Sequence, residues 1–500
     1  MRKTFEPQLT IGTTLIEEVE VPAKTKSHLA ALVAALKYIY VTPKWNEKVF
    51  GLLTSHIGKH KKVTGRTGMS YWELFVLAQV KLCKNISYDE LEHVANYDTM
   101  VRGIMGVLPT DYTQGKTYSY QTIYDNVNLL GEDLLKEINE VITEVGHEVF
   151  KKKENTDQVA GASVCVPLRC KTDSFVIEGD VHFPTDWNLL WDSARKCCDI
   201  AAKLQAKGCV AGWQKHQNWK KELKSLTRQV GRVTGGGGKN KQDRLEKAVN
   251  KLLTKSGALA KKVADSLKNC TPQTSIDWAR CVEWGYYHEM LAKHIDLLQR
   301  RVIEGETIPH KEKVFSVFQP FMEWINKGKR NPEIGKKLFV TSDQYHLIVD
   351  WQIGENQADN EVTLQIASRL IAKYDVISLS VDKGFSDKAD RQILELYIPE
   401  VIMPKKGKRT ELETAHESQE WFKELKDKHS AIESNINELE HRGLNRCKNR
   451  TWKTFKNYTA LSITAYNLHK IGRELQAQAR SELKAQIEAE QRKMYPAQAA

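Results

Sequence analysis

The sequence predicts a mixed, α+β fold in which long helical stretches flank and interrupt a smaller set of strands. Three observations carry this. Apolar residues recur at helical spacing through about the first 150 residues, as in Tyr71, Leu74, Phe75, Ala78 and Leu82. Runs of β-formers then appear at 164–183, 313–320, 336–354 and 376–381. Helix-period segments return between and after those runs, which is the pattern of a mixed α/β block rather than of an all-helical or all-β chain.

At 500 residues the chain is long enough for roughly two to four domains. A hydrophobic fraction of 41% excludes a mostly disordered chain, and no apolar run approaches the roughly 18 residues of a membrane span. The opening MRKTFEPQLTIG has no apolar stretch behind its basic residues, so the expectation is a soluble, cytoplasmic protein. The nine cysteines include no CxxC pair, which fits neither a disulfide framework nor a zinc ribbon. Lys and Arg outnumber Asp and Glu by 75 to 63, a net charge of +12, which favours a polyanionic partner.

In the N-terminal region, Ser70-Tyr-Trp-Glu73 and Ser87-Tyr-Asp-Glu90 have the S-x-x-E form that opens a helix, the serine accepting from a first-turn N–H while the glutamate reaches back. A longer stripe follows at Ile123, Val127, Leu130, Leu134, Ile138, Ile142, Val145 and Val149. Short helices joined by tight turns suit a helix-turn-helix-like DNA reader, and equally a plain helical bundle. After Lys151-Lys152-Lys153 and a polar linker, β-formers run from VCVPLRC to Phe183, where Pro184 stops the strand.

From there to about 305 the chain reads as helical and lysine-rich, broken by Gly235 to Gly238. The sequence TGGGGKNK lacks the Ser or Thr after the lysine and the preceding strand that a phosphate loop needs, so it reads as an inter-helix turn. KVFSVFQP reads as a strand, and KKLFVTSDQYHLIVDWQIG as a hairpin turning near Ser342-Asp343-Gln344. A helix (361–374), the strand VISLSV ending in Asp382, a helix (388–397) and the strand VIMP follow. One long helix is expected from about Glu411 to Glu440, and a last one from about Lys453 towards Met494.

Three acidic residues stand out on this plan: Asp173 on the first strand, Asp382 at the carboxyl end of VISLSVD, and Glu433 bordering the stripe of the long helix. A carboxylate in low dielectric requires a partner or a cation. Three carboxylates suit a pair of Mg²⁺ ions, which are hard and prefer oxygen, whereas a thiol or imidazole trio favours zinc. On spacing alone, a strand-edge Asp173, a turn-capping Asp382 and a lysine-paired Glu433 compete with that reading.

The segments KTDSFVIEGDVHFPTDWNLLWD, HKEKVFSVFQPFMEWINKGK, SVDKGFSD with IPEVIMPKKGKR, and KHSAIESNINELEHRGLNRC together resemble the DDE transposases of bacterial insertion sequences, the group with an interrupted ribonuclease H-like catalytic core. The resemblance runs from about 65 to 475 in the family's order. It implies that Asp173, Asp382 and Glu433 are the catalytic, metal-holding triad, with two Mg²⁺ ions or Mn²⁺ in their place. Glu178, Asp180 and Asp186 are rivals to Asp173, and on a regular strand Glu178 and Asp180 point to the other face. The implied partners are double-stranded DNA, as element ends and target, and a second copy of the chain when assembled on the ends; no membrane is involved. The implied organisation is a helical DNA-binding region at 1–150, a catalytic core at 160–186 and 306–450, a helical insertion at 187–305, and a helical tail at 451–500.

Related transposases often carry a tyrosine and an arginine on the turns before the glutamate, and a lysine or arginine seven residues after it. This chain has Lys426, His429 and Glu440 there, so Arg442 and Arg446 are expected to supply positive charge. The loop Lys405, Lys406, Lys408 and Arg409 suits backbone phosphates, or is an ordinary solvated turn. Trp187, Trp191, Trp213 and Trp219 either stack on a displaced base or belong to the core.

Overall fold

The computed structural model describes residues 3–5, 12–58, 68–108, 116–154, 167–326 and 331–494. The polar linker before the first strand, with Cys165, lies outside the described residues. The described strands, in chain order, are β1 (Leu168–Gly179), β2 (Glu323–Ile325), β3 (Glu333–Ser342), β4 (Ile348–Ile353), β5 (Val376–Val381), β6 (Glu400–Ile402) and β7 (Arg446–Cys447). The chain divides into two units, one made of Met1–Asp180 with Gly335–Ala500 and the other of Val181–Ile334. The fold is thus mixed α/β and mostly helical around a mixed sheet. Among the described residues no helix is long and apolar enough to cross a membrane.

In the first unit the N-terminal helices begin where their caps predict. Ser70 Oγ accepts from the Glu73 N–H at 3.2 Å at the start of Tyr71–Cys83, and Ser87 Oγ from the Glu90 N–H at 3.1 Å at the start of Tyr88–Tyr97. Glu73 turns inward: it is buried, and its carboxylate is held by Lys116 Nζ at 2.7 Å and the Tyr118 hydroxyl at 2.9 Å. The second stripe is buried as expected but is shared by two helices, Tyr120–Val127 and Glu132–Glu154. The lysine run 151–153 continues the second of these.

The helix Trp452–Met494 packs among these N-terminal helices. Asn467 donates to Asn139 Oδ1 at 2.8 Å and to the Ile348 carbonyl at 2.9 Å, while Gln476 donates to the Pro22 carbonyl at 3.0 Å. At Gly472 a Cβ would lie 1.7 Å from the Ala31 carbonyl oxygen, so this crossing depends on the missing side chain.

In the sheet, β1 is flanked by β3, antiparallel, and β5, parallel; β4 extends the β3 side antiparallel and β6 extends the β5 side parallel. The expected hairpin is β3 and β4, its turn held by Asp343 Oδ1, which accepts from the Tyr345 and Leu347 N–H groups at 2.9 Å. Leu168, Cys170, Leu379 and Val381 form one apolar face against the helix Asp359–Lys373. Residues at the alternate positions of β1 and β5 face the other way, as the two-residue period of a strand requires.

The single long helix expected over 411–440 is three helices, Glu411–Glu417, Glu420–His429 and Ala431–Leu439. The apolar stripe runs through the second and third, while Glu411–Glu417 buries no side chain; Gln419 is extended at φ −61°, ψ 142°, and Ser430 Oγ donates to the Asp427 carbonyl, closing off the middle helix.

The second unit is built on helices Asp186–Ala206, His216–Gly235, Lys241–Lys268 and Ser275–Val302 around a buried apolar core. The tetraglycine stretch joins the second and third of these helices, with Gly238 at φ +109°. KVFSVFQP is not a strand. Phe315 and Val317 are buried, but Ser316 Oγ accepts from the Phe318 and Gln319 N–H groups, a local turn that displaces ladder bonding. Trp213 is core, donating to Ser266 Oγ at 3.0 Å; Trp187, Trp191 and Trp219 pack partly buried against the same core.

Candidate active site

β1 and β5 run parallel with Lys171 opposite Ser380 and Thr172 opposite Val381. The next residue along each chain is Asp173 on β1 and Asp382 just past the end of β5, so the register sets these two residues side by side. Asp173 is half-buried and its carboxylate accepts from the Ser174 N–H at 2.6 Å; Asp382 is exposed at the end of β5. Both follow the face occupied by Lys171 and Ser380, opposite the apolar Cys170–Val381 face. Asp173 is therefore at a partly open position rather than a fully buried one.

Helix Ala431–Leu439, which carries Glu433, packs against β1. The preceding helix ends over β5, where His429 Nδ1 lies 3.0 Å from Ser380 Oγ. Burial lowers the His429 pKa, and the Asp382 charge opposes that shift, which reports the nearness of imidazole and carboxylate. Glu433 lies one helical turn beyond His429 and is exposed. Below, a cavity of about 390 Å³ is lined by Arg169, Lys171, Ser378, Ser380, Leu425 and Lys428, among others. Burial also lowers the Lys171 pKa, with Asp343 opposing.

Carboxylate oxygens are the donor class that a hard divalent cation requires. As the side chains stand, no three His, Cys, Asp or Glu residues among the described residues are gathered closely enough to hold a metal ion. The donor chemistry of Asp173, Asp382 and Glu433 fits such an ion; their arrangement is not a closed cage.

The rivals to Asp173 lie elsewhere. Glu178 and Asp180 are exposed near the far end of β1, with Asp180 paired to Arg446 at 2.9 Å, and Asp186 belongs to the second unit, paired to Arg301.

The basic residues divide. Lys406 and Lys408 are exposed, whereas Lys405 is held by Glu413 at 2.6 Å and Arg409 by Glu417 at 2.9 Å. Arg446 is exposed apart from its Asp180 partner. Arg442 is buried and turned inward. Its guanidinium donates to the Cys83 carbonyl at 3.0 Å and to His469 Nδ1 at 2.6 Å, and Glu438 lies 3.5 Å away. It has no open face towards a phosphate.

Sequence reasoning passed over Ser380 and Lys171, and noted His429 only as a departure from the family pattern. The signal for the first was present: in VISLSV the serines alternate with Ile377, Leu379 and Val381, so one face of the strand is polar. For Lys171 there was no local signal, and His429 was marked only by its place before Glu433; what each does comes from which strand it meets.

Residues 298–468 match the family model described as Transposase DDE domain, which supports a DDE transposase of an insertion sequence. The matched span includes Asp382 and Glu433, and Asp173 lies upstream of it. No curated protein and no solved structure matches the chain.

Proposed function

We propose that this chain is a DNA transposase that binds the ends of an insertion sequence and carries out metal-dependent DNA cleavage and strand transfer, with Asp173, Asp382 and Glu433 as its catalytic, metal-holding carboxylates. The observation that carries the reading is the β1–β5 register that brings Asp173 beside Asp382, on a sheet with three antiparallel strands continued by two parallel ones. That strand order suits a ribonuclease H-like core. The transposase domain match over 298–468 supports the family independently of this geometry.

In this reading Asp173 and Asp382 bind through their carboxylate oxygens from neighbouring strands, and Glu433 closes on them from the helix above. Two Mg²⁺ ions, or Mn²⁺, when bound would activate the attacking water or 3′-hydroxyl and stabilise the leaving oxygen at phosphorus. The His429–Ser380 contact fixes the end of the preceding helix over β5, and so where the Glu433 helix starts. Lys406 and Lys408, with Lys405, Arg409 and Arg446 after exchange of their carboxylate partners, bind backbone phosphates and so position the duplex without reading its sequence. The helical region 1–150 would recognise the element's ends, and two copies of the chain would assemble on them. The interior position of Arg442 gives it a structural part instead.

The test is nicking of a supercoiled plasmid that carries the DNA flanking the gene, with Mg²⁺, Mn²⁺ or chelator. Cleavage that needs the ion and is lost in Asp173→Asn supports the proposal; binding without cleavage under every ionic condition would mark a non-cutting DNA-binding protein.

A further inference from the structure

The second unit contains a pair of sulfurs whose placement has no part in the chemistry proposed above. Cys270 Sγ and Cys281 Sγ lie 3.3 Å apart. Cys270 sits in the short segment between helices Lys241–Lys268 and Ser275–Val302, and Cys281 lies in the second turn of the latter. Both ends are fixed. The Thr271 N–H donates to the Cys209 carbonyl at 2.9 Å, and Thr274 caps the second helix, its Oγ1 accepting from the Asp277 N–H at 3.2 Å. Both thiols are partly accessible, whereas the other described cysteines, 83, 170, 197, 198, 209 and 447, are buried.

We propose that Cys270 and Cys281 are a reversible oxidation site, which a small oxidised disulfide such as glutathione disulfide converts to an intrachain disulfide across this helix–helix turn. The sulfurs already face each other, and closing to a bond length of about 2.05 Å asks for a shift of roughly 1.2 Å. A movement of that size is within reach of Cys270, which lies outside both helices.

The exchange balances in two steps. The Cys281 thiolate attacks one sulfur of glutathione disulfide and expels one glutathione thiolate, leaving a mixed disulfide. The Cys270 thiolate then attacks the Cys281 sulfur and expels the second. The two protein thiols lose two protons and two electrons, and the reagent takes them up as two glutathione thiols. Burial, with Cys281 beside it, pushes the Cys270 thiol up to about 11, so the closing step accelerates as pH rises above neutrality.

The full-length protein is incubated with glutathione disulfide at pH 8, unfolded in denaturant and titrated for free thiols, then digested without reductant for mass mapping. The expected result is a fall from the nine thiols of the reduced chain to seven, with one peptide joining Cys270 to Cys281 and full recovery with excess reductant. Cys270→Ser should abolish the joined peptide and trap glutathione on Cys281. That variant also distinguishes the order of attack from misfolding, because it needs Cys281 alone to react. A titre that stays at nine, a cross-link to another cysteine, or separate glutathione adducts on both residues in the wild-type chain would overturn the proposal.

Discussion

Replacing Arg442 by Met removes a buried guanidinium while keeping most of the side chain's volume. Two groups lose their donor: the Cys83 carbonyl and His469 Nδ1. Glu438 keeps Lys470 at 2.6 Å and is not orphaned. Because Arg442 donates to Nδ1, the neutral His469 ring carries its proton on Nε2 and donates to His28 Nδ1 at 2.9 Å, so the change also loosens a chain of bonds linking three segments. Each buried group left without a partner costs about 1–3 kcal/mol, and the methionine recovers some apolar packing. The expected loss is about 3–4 kcal/mol, a large share of the roughly 5–15 kcal/mol of a typical fold. Arg442→Lys should fall between, since one ammonium retains the charge but not the planar fork. Equilibrium urea unfolding followed by circular dichroism measures this. A Met variant within about 0.5 kcal/mol of wild type, the range of an ordinary surface change, would refute the structural role given to Arg442.

The remaining expectations concern pH, packing and DNA. Burial, with Arg442 next in importance, lowers the His469 pKa to about 2, and burial lowers His294 to about 4, from an ordinary value of 6.5. The unfolded chain therefore takes up protons first. Stability contributed by these groups is complete above pH 6.5 and falls as pH drops, by about 1.4 kcal/mol per unit for each ring, until pH 4 for His294 and lower for His469. His469→Gln should flatten that slope in urea unfolding between pH 6.5 and 4; an unchanged slope would contradict the assignment. Gly472→Ala should cost at least about 1–3 kcal/mol through overpacking against Ala31, read as a lower thermal midpoint. Lys406→Ala with Lys408→Ala should weaken DNA binding and shallow the log–log salt dependence by about 0.9 for each phosphate no longer neutralised, whereas an unchanged slope would remove this loop from the interface.

What the sequence made legible follows the range of the forces involved. The caps at Ser70 and Ser87 are interactions over three residues, so S-x-x-E announces them. The carboxylate of Glu73 escaped because its partners, Lys116 and Tyr118, are more than forty residues away. The strands VISLSV and VIMP were legible as β-formers, but their order in the sheet and the register that pairs Thr172 with Val381 are tertiary facts. KVFSVFQP was misread since one serine hydroxyl outweighs four β-forming neighbours, Val314, Phe315, Val317 and Phe318. Arg442 was expected to supply positive charge in place of the basic residue that related transposases carry after the glutamate; its partners Cys83 and His469 come from other segments, so its burial was not legible. Asp173, Asp382 and Glu433 were picked out by residue type and by family resemblance, and spacing alone left them open. Their relation in space rests on strand pairing and on the helix that His429 anchors.

The central claim is that strand-borne carboxylates carry out phosphoryl transfer on DNA, and Asp382 tests it most directly, since it lies inside both the β1–β5 juxtaposition and the transposase domain match. The measurement is the rate of nicking of a supercoiled plasmid bearing the gene's flanking DNA in Mg²⁺, with DNA affinity measured in parallel, for wild type and Asp382→Asn. Removing a charge that only the reacting site needs should abolish nicking, by about a thousandfold or more, while affinity changes by less than about threefold. An Asp382→Asn protein that nicks at the wild-type rate, or wild-type nicking that persists in excess chelator, would contradict the account.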